Sequence, residues 1–143
     1  MAKKQLRWGI LATGENAKTF TRDLLLDPRT RGRSDIQHVL TAAASSTSSS
    51  RAEAFLQEVG AGKTARAYGS YEDVVRDDSV DIVYVATPHS HHYQNVRLAL
   101  EAGKNVLCEK PLTVNAKQAS ILIDLAEKKG LFLMEAVSTE RSY

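Results

Sequence analysis

The sequence contains one cysteine, Cys108, so no disulfide can form within the chain, and cysteine usage points to a reducing compartment. Long apolar runs are also missing. No segment approaches the roughly 20 apolar residues that a membrane helix needs. The apolar stretch after the basic residues of Met1 to Arg7 is interrupted by glycine and threonine and then by Glu15, Asn16 and Lys18, which leaves no signal-peptide core. These absences together lead us to expect a cytosolic protein. Neither sign of charge dominates: 19 basic residues stand against 17 acidic ones, interspersed along the chain for a net charge of +2, and this balance gives no nucleic-acid footprint. No repeat of roughly 20 to 50 residues is present, which argues against a solenoid.

What is there is one domain's worth of ordinary globular sequence: 143 residues, 43% hydrophobic and 25% charged. Short apolar runs alternate with amphipathic stretches, the pattern of βαβ units around a parallel sheet. Six strands are predicted, at Leu6 to Leu11, Ile36 to Ala44, Ala65 to Tyr68, Asp81 to Ala86, Asn105 to Cys108 and Leu131 to Ala136. Helices are predicted from Glu15 to Leu26, from near Arg51 to Val59, from Tyr71 to Arg76, from His91 to Ala102 and from Asn115 to Lys129. Asp27-Pro28 should stop the first helix before a polar loop, Arg29 to Asp35, while Gly60, Gly62 and Gly103 punctuate the later ones. Trp8, Tyr68 and Tyr71 read as packing residues.

The first strand runs into Ala12-Thr13-Gly14-Glu15-Asn16-Ala17 at the start of the first helix, an A-x-G-x-x-A variant of the dinucleotide fingerprint in its required context. Gly14 would let the backbone approach a pyrophosphate, Ala17 would permit close helix packing, and the helix N-terminus would offer N–H groups. Ala12, Thr13, Gly14, Glu15 and Asn16 are therefore candidate cofactor-binding residues. The first glycine of the fingerprint is absent, and an ordinary tight turn is the competing reading.

An acidic residue at the end of the second strand, where NAD-selective folds hold the ribose, is absent too. The chain has instead Ala44-Ser45-Ser46-Thr47-Ser48-Ser49-Ser50-Arg51. Hydroxyls and a guanidinium suit a 2′-phosphate that an aspartate would repel, so Ser45, Ser46, Thr47 and Arg51 point to NADP. The alternative is a solvated serine loop.

Two later stretches, Ala86-Thr87-Pro88-His89-Ser90-His91-His92 and Ala102-Gly103-Lys104-Asn105-Val106-Leu107-Cys108-Glu109-Lys110-Pro111-Leu112, resemble the glucose-fructose oxidoreductase, inositol dehydrogenase and MocA family of nicotinamide-dependent enzymes. The resemblance runs from about Leu6 to Ala136. The Ala-Ser-Ser stretch and the Leu-Phe-Leu-Met-Glu-Ala ending are most similar to its branch of NADP-dependent dihydrodiol and D-xylose dehydrogenases. It implies a Rossmann-type doubly wound parallel sheet. It also implies that Thr87, Pro88, His89 and His92 line the nicotinamide side, that Glu109, Lys110 and Pro111 lie at the active site, and that the Lys110-Pro111 bond is cis. Lys110 could hydrogen-bond a substrate oxygen and polarise it during hydride transfer; Lys110 and His92 are the catalytic candidates. A metal at His89, His91 and His92 is not expected, since no carboxylate or second thiol lies close in sequence. Cys108, inside an apolar strand, reads as a buried thiol rather than a nucleophile.

Family members continue into a second, antiparallel-sheet domain, whereas this chain stops at Tyr143, and its resemblance fades at Ser138 and Glu140-Arg141. Residues 1–137 are thus expected to form the dinucleotide-binding domain and 138–143 a divergent tail of altered or truncated origin. A crevice left without its second domain should find a partner, so a homodimer or a docked protein is expected beside a small-molecule substrate. Three functions compete. One is an NADP-dependent oxidoreductase acting on a hydroxyl or carbonyl of a sugar-like or diol substrate. Another is a non-catalytic nucleotide-binding regulator or accessory subunit. The last is a truncated fold repurposed for non-redox chemistry.

Overall fold

The computed structural model describes residues 4–26 and 36–136. The Asp27-Pro28 stop, the loop up to Asp35 and the tail from 138 to 143 lie outside the described residues.

Six strands form one parallel sheet: β1 (Lys4–Leu11), β2 (Ile36–Ala44), β3 (Arg66–Tyr68), β4 (Ile82–Val85), β5 (Asn105–Glu109) and β6 (Leu133–Ala136). Their order is β3-β2-β1-β4-β5-β6, with every neighbouring pair parallel. This is the doubly wound Rossmann arrangement expected from the sequence, and its order reverses between β1 and β4, where such sheets open a ligand crevice. Among the described residues the helices are α1 (Glu15–Leu24), α2 (Ser49–Glu58), α3 (Tyr71–Val75), α4 (His92–Glu101) and α5 (Ala116–Lys129), with a 3₁₀ turn at His89–His91.

The central strand β4 is a continuous, fully buried apolar run, and β1 and β2 become apolar toward their carboxyl ends, because helices cover both faces of the sheet. On one face Trp8, Ile10, Ile82 and Tyr84 pack with Ala17 and Leu24 of α1 and with Phe55 and Leu56 of α2. On the other, Leu11, Val83, Val85, Val106 and Cys108 pack with Val74, Val96, Leu100, Leu122 and Ala126 of α3, α4 and α5. Full burial of each large aliphatic side chain is worth about 1.5–3 kcal/mol, so these layers dominate the energetics. A bulge adjusts the register: Trp8 pairs with Leu40 but Gly9 with Ala42, which leaves Thr41 as the extra residue. Leu40 and Ala43 can therefore both serve the α1–α2 layer.

Gly9 answers a local packing need. A Cβ there would lie 2.6 Å from Val74 Cγ1 and 3.1 Å from a Val80 methyl, so its absence lets α3 seat against β1. At the amino-terminal rim, opposite the crevice, Arg7 pairs with Asp81 at 2.9 Å and Lys104 Nζ donates to the carbonyls of Asp77 and Val80 at 2.8 and 2.7 Å.

The boundaries shift where caps decide them. Helix α2 begins at Ser49 rather than near Arg51, because Ser48 is extended and its Oγ accepts the Arg51 N–H. The helix predicted from His91 opens as the 3₁₀ turn and becomes α-helical at His92. Among the described residues no helix is long and apolar enough to cross a membrane. Trp8 is buried as expected, and its Nε1 donates to His38.

Candidate functional site

Parallel register brings the carboxyl ends of four strands to one rim, since Leu11 pairs with Ala44 and Val85, and Val85 with Cys108. The loops after β1, β2, β4 and β5 leave from this rim. Three backbone bonds extend the ladder into them: Ala12 N–H to Ala44 O at 3.0 Å, Ser45 N–H to Tyr68 O at 3.2 Å and Ala86 N–H to Leu11 O at 3.1 Å. The candidate residues after β1, β2, β4 and β5 are thus brought together around the β1–β4 switch point.

The first loop suits a pyrophosphate. Ala12 has φ +100°, a conformation that favours glycine, so the missing fingerprint glycine is missing in residue type only. A methyl group built on Gly14 would meet nothing within 4 Å. Gly14 is the N-cap of α1 and supplies no side-chain cap, whereas α2, α3 and α5 are capped by Ser48, Ser70 and Asn115. The first-turn N–H groups of α1 are therefore left to an anion or water. Thr13 is half-buried, Glu15 and Asn16 are exposed, and Glu15 pairs with Lys18 at 3.3 Å.

After β2, Ser45 is buried, its Oγ 2.9 Å from Thr47 Oγ1 and accepting the Thr47 N–H. Ser46, Thr47 and Arg51 stand exposed on the same rim. Ser45 therefore shapes this turn, and the exposed hydroxyls and guanidinium are the groups available to a phosphate.

After β4, Pro88 and His89 are exposed while Thr87 and His92 are buried. Thr87 Oγ1 accepts from Asn95 Nδ2 at 3.0 Å. The expectation that His92 serves catalysis does not match its surroundings. The ring is fully buried, with Nδ1 2.6 Å from Pro111 O and Nε2 2.8 Å from Thr87 O, so neither nitrogen faces a substrate. The geometry suits a clamp between two loops. His91 is exposed at the helix start, and among the described residues no three His, Cys, Asp or Glu side chains gather as a metal site.

After β5, Lys110 and Pro111 are exposed and the bond between them is cis, as the resemblance implied. Glu109 is half-buried and accepts from the hydroxyl of fully buried Tyr84. Burial, reinforced by the Glu109 carboxylate, pushes the Tyr84 phenol above its ordinary range. Tyr84 also stacks on Phe20 of α1 at 3.8 Å. Burial pushes the Cys108 thiol up to about 12, with Glu109 and Glu135 adding to the effect, which fits an inert buried thiol.

Three site-supporting residues escaped the sequence reading: Tyr84, Asn95 and Glu135, whose Oε2 accepts the Leu112 N–H at 2.7 Å. Asn95 and Tyr84 left a usable signal as polar groups on otherwise apolar inward faces. Glu135 left none.

The sequence model of an oxidoreductase family with an NAD-binding Rossmann fold, Gfo/Idh/MocA, matches residues 6–137. The chain belongs to this family. Its membership establishes an oxidoreductase-type, NAD(P)-binding Rossmann domain. The D-xylose 1-dehydrogenase (NADP(+)) of Hypocrea jecorina is 60% identical over 134 residues, covering 94% of this chain and 34% of the relative. Human trans-1,2-dihydrobenzene-1,2-diol dehydrogenase is 42% identical over 134 residues, covering 94% and 37%. A 3-ketoreductase of Actinomadura kijaniata, solved with NADP and TDP-benzene, superposes with a TM-score of 0.79 at 32% identity, covering 92% of this chain and 37% of its own. This Gfo/Idh/MocA chain spans about a third of the length of the curated relatives it matches.

Proposed function

We propose that this domain binds NADP and serves hydride transfer at a hydroxyl or carbonyl carbon of a sugar-like or diol substrate. The observation that carries the reading is one rim holding the uncapped α1 N-terminus, the acid-free Ser46-Thr47-Arg51 edge and exposed Lys110. The N–H groups of α1 would hold the pyrophosphate, with Gly14 leaving room for it. Ser46, Thr47 and Arg51 would hold the 2′-phosphate, and Pro88, His89 and Glu109 would border the nicotinamide. The relatives named for NADP support the same choice. When bound, the cofactor supplies or accepts the hydride. Lys110 hydrogen-bonds the substrate oxygen and stabilises the charge that develops there.

Exposed large apolar side chains on α5 (Ile121, Ile123), on β6 (Met134) and just before it (Phe132) support self-association or a protein partner that completes the substrate pocket. Cysteine usage supports a cytosolic setting. Turnover is followed by the absorbance of the reduced cofactor across a panel of sugars, diols and ketones. Lys110→Ala should abolish it with little loss of cofactor affinity. NADPH binding without turnover, alone and in cell extract, would favour a non-catalytic nucleotide-binding module.

A further inference from the structure

We propose that His92 and Glu135 act together as positioning residues for Lys110 by gripping, from opposite sides, the one peptide unit that follows Pro111. The inference rests on the reading of Lys110 as the group that meets the substrate oxygen. Pro111 C=O and Leu112 N–H belong to a single peptide plane. Its carbonyl lies 2.6 Å from His92 Nδ1, and its N–H donates to Glu135 Oε2 at 2.7 Å. One side chain comes from the start of α4 and the other from β6, so two separate elements fix the backbone beside Lys110.

The remaining ring nitrogen extends the chain. His92 Nε2 lies 2.8 Å from Thr87 O, and Asn95 holds the same residue through Oγ1 at 3.0 Å. Both partners of the His92 ring are carbonyl oxygens, which only accept. Both ring nitrogens of this buried side chain are thus spent on backbone carbonyls of the two loops, while the Glu135 carboxylate holds the N–H end of the same peptide. The polar groups then run in a consistent order from the Thr87 carbonyl through the His92 ring and the Pro111–Leu112 peptide to the Glu135 carboxylate. The ring of His89 also packs against that of His92, with ring centroids 5.4 Å apart. A small displacement of a catalytic group costs a large factor in rate, so anchoring the backbone next to a long, flexible lysine matters.

Amide hydrogen exchange and nitrogen-15 NMR of the full chain test this. Glu135→Ala should speed exchange of the Leu112 amide at least tenfold and shift the Lys110 backbone signal. Glu135→Gln, which keeps an acceptor oxygen, should retain most of the Leu112 protection and leave the Lys110 signal near its wild-type position. A residue that only fills space would not need an acceptor oxygen to restore the Leu112 amide. Unchanged Leu112 exchange in Glu135→Ala would overturn the proposal, as would a Lys110 signal that stays in place in that variant. Retained turnover in Lys110→Ala would instead refute the role given to Lys110 while leaving these signals in place.

Discussion

Replacing Ala12 with glycine should stabilise the protein, although it removes a methyl group from the rim of the crevice. Ala12 sits at φ +100°, where an L side chain crowds its own backbone at a cost of about 1–2 kcal/mol. Glycine is free of that strain but gives the unfolded chain more freedom, which offsets about 0.4–1 kcal/mol. The net expectation is a gain of roughly 0.5–1 kcal/mol, or about 2–4 °C in melting temperature for a chain of this size. Urea denaturation followed by circular dichroism measures it directly. Ala12→Val should move the other way by at least 1 kcal/mol, because a β-branched residue fits positive φ poorly. A destabilised Ala12→Gly variant, or a Val variant as stable as the wild type, would refute the assigned backbone conformation. It would also refute the argument that the loop keeps the fingerprint's shape without its first glycine.

Gly9→Ala should lose about 1–3 kcal/mol in the same urea assay, because the new methyl lies 2.6 Å from Val74 Cγ1 on a packed sheet face. The Arg7 guanidinium holds the Asp81 carboxyl below the ordinary carboxylate range through its hydrogen bonds. Since the folded value is the lower one, the pair's contribution is present above the ordinary value near about 4 and is lost as pH falls through the folded value. An Arg7→Met variant should therefore be less stable than wild type from pH 5 to 7 and converge with it toward pH 2, as read by urea midpoints.

The layer architecture was legible because burial on both faces writes itself into sequence as short apolar runs, Ile82 to Val85 being the plainest. The four rim loops were legible because each follows such a run. Boundaries were less so: Ser48 is one serine among several, and its role as the α2 cap depends on an extended backbone that its neighbours do not share. The surroundings of His92 were not legible, since its partners are backbone carbonyls contributed by residues 5 and 19 positions away. Glu135 left no signal for the same reason, its bond to Leu112 spanning 23 positions; a phenol in an apolar run does mark Tyr84, but its partner Glu109 lies 25 positions away and only strand order brings the two together.

On this reading the rim takes NADP in preference to NAD, and fluorescence titration of the 143-residue chain with NADPH and NADH decides between the two. The expected result is tighter NADPH binding, with the preference falling at least tenfold in Arg51→Ala as one charge-assisted contact worth about 1.5–3 kcal/mol is removed. Tighter binding of NADH, or no binding of either cofactor, would overturn this assignment of the rim.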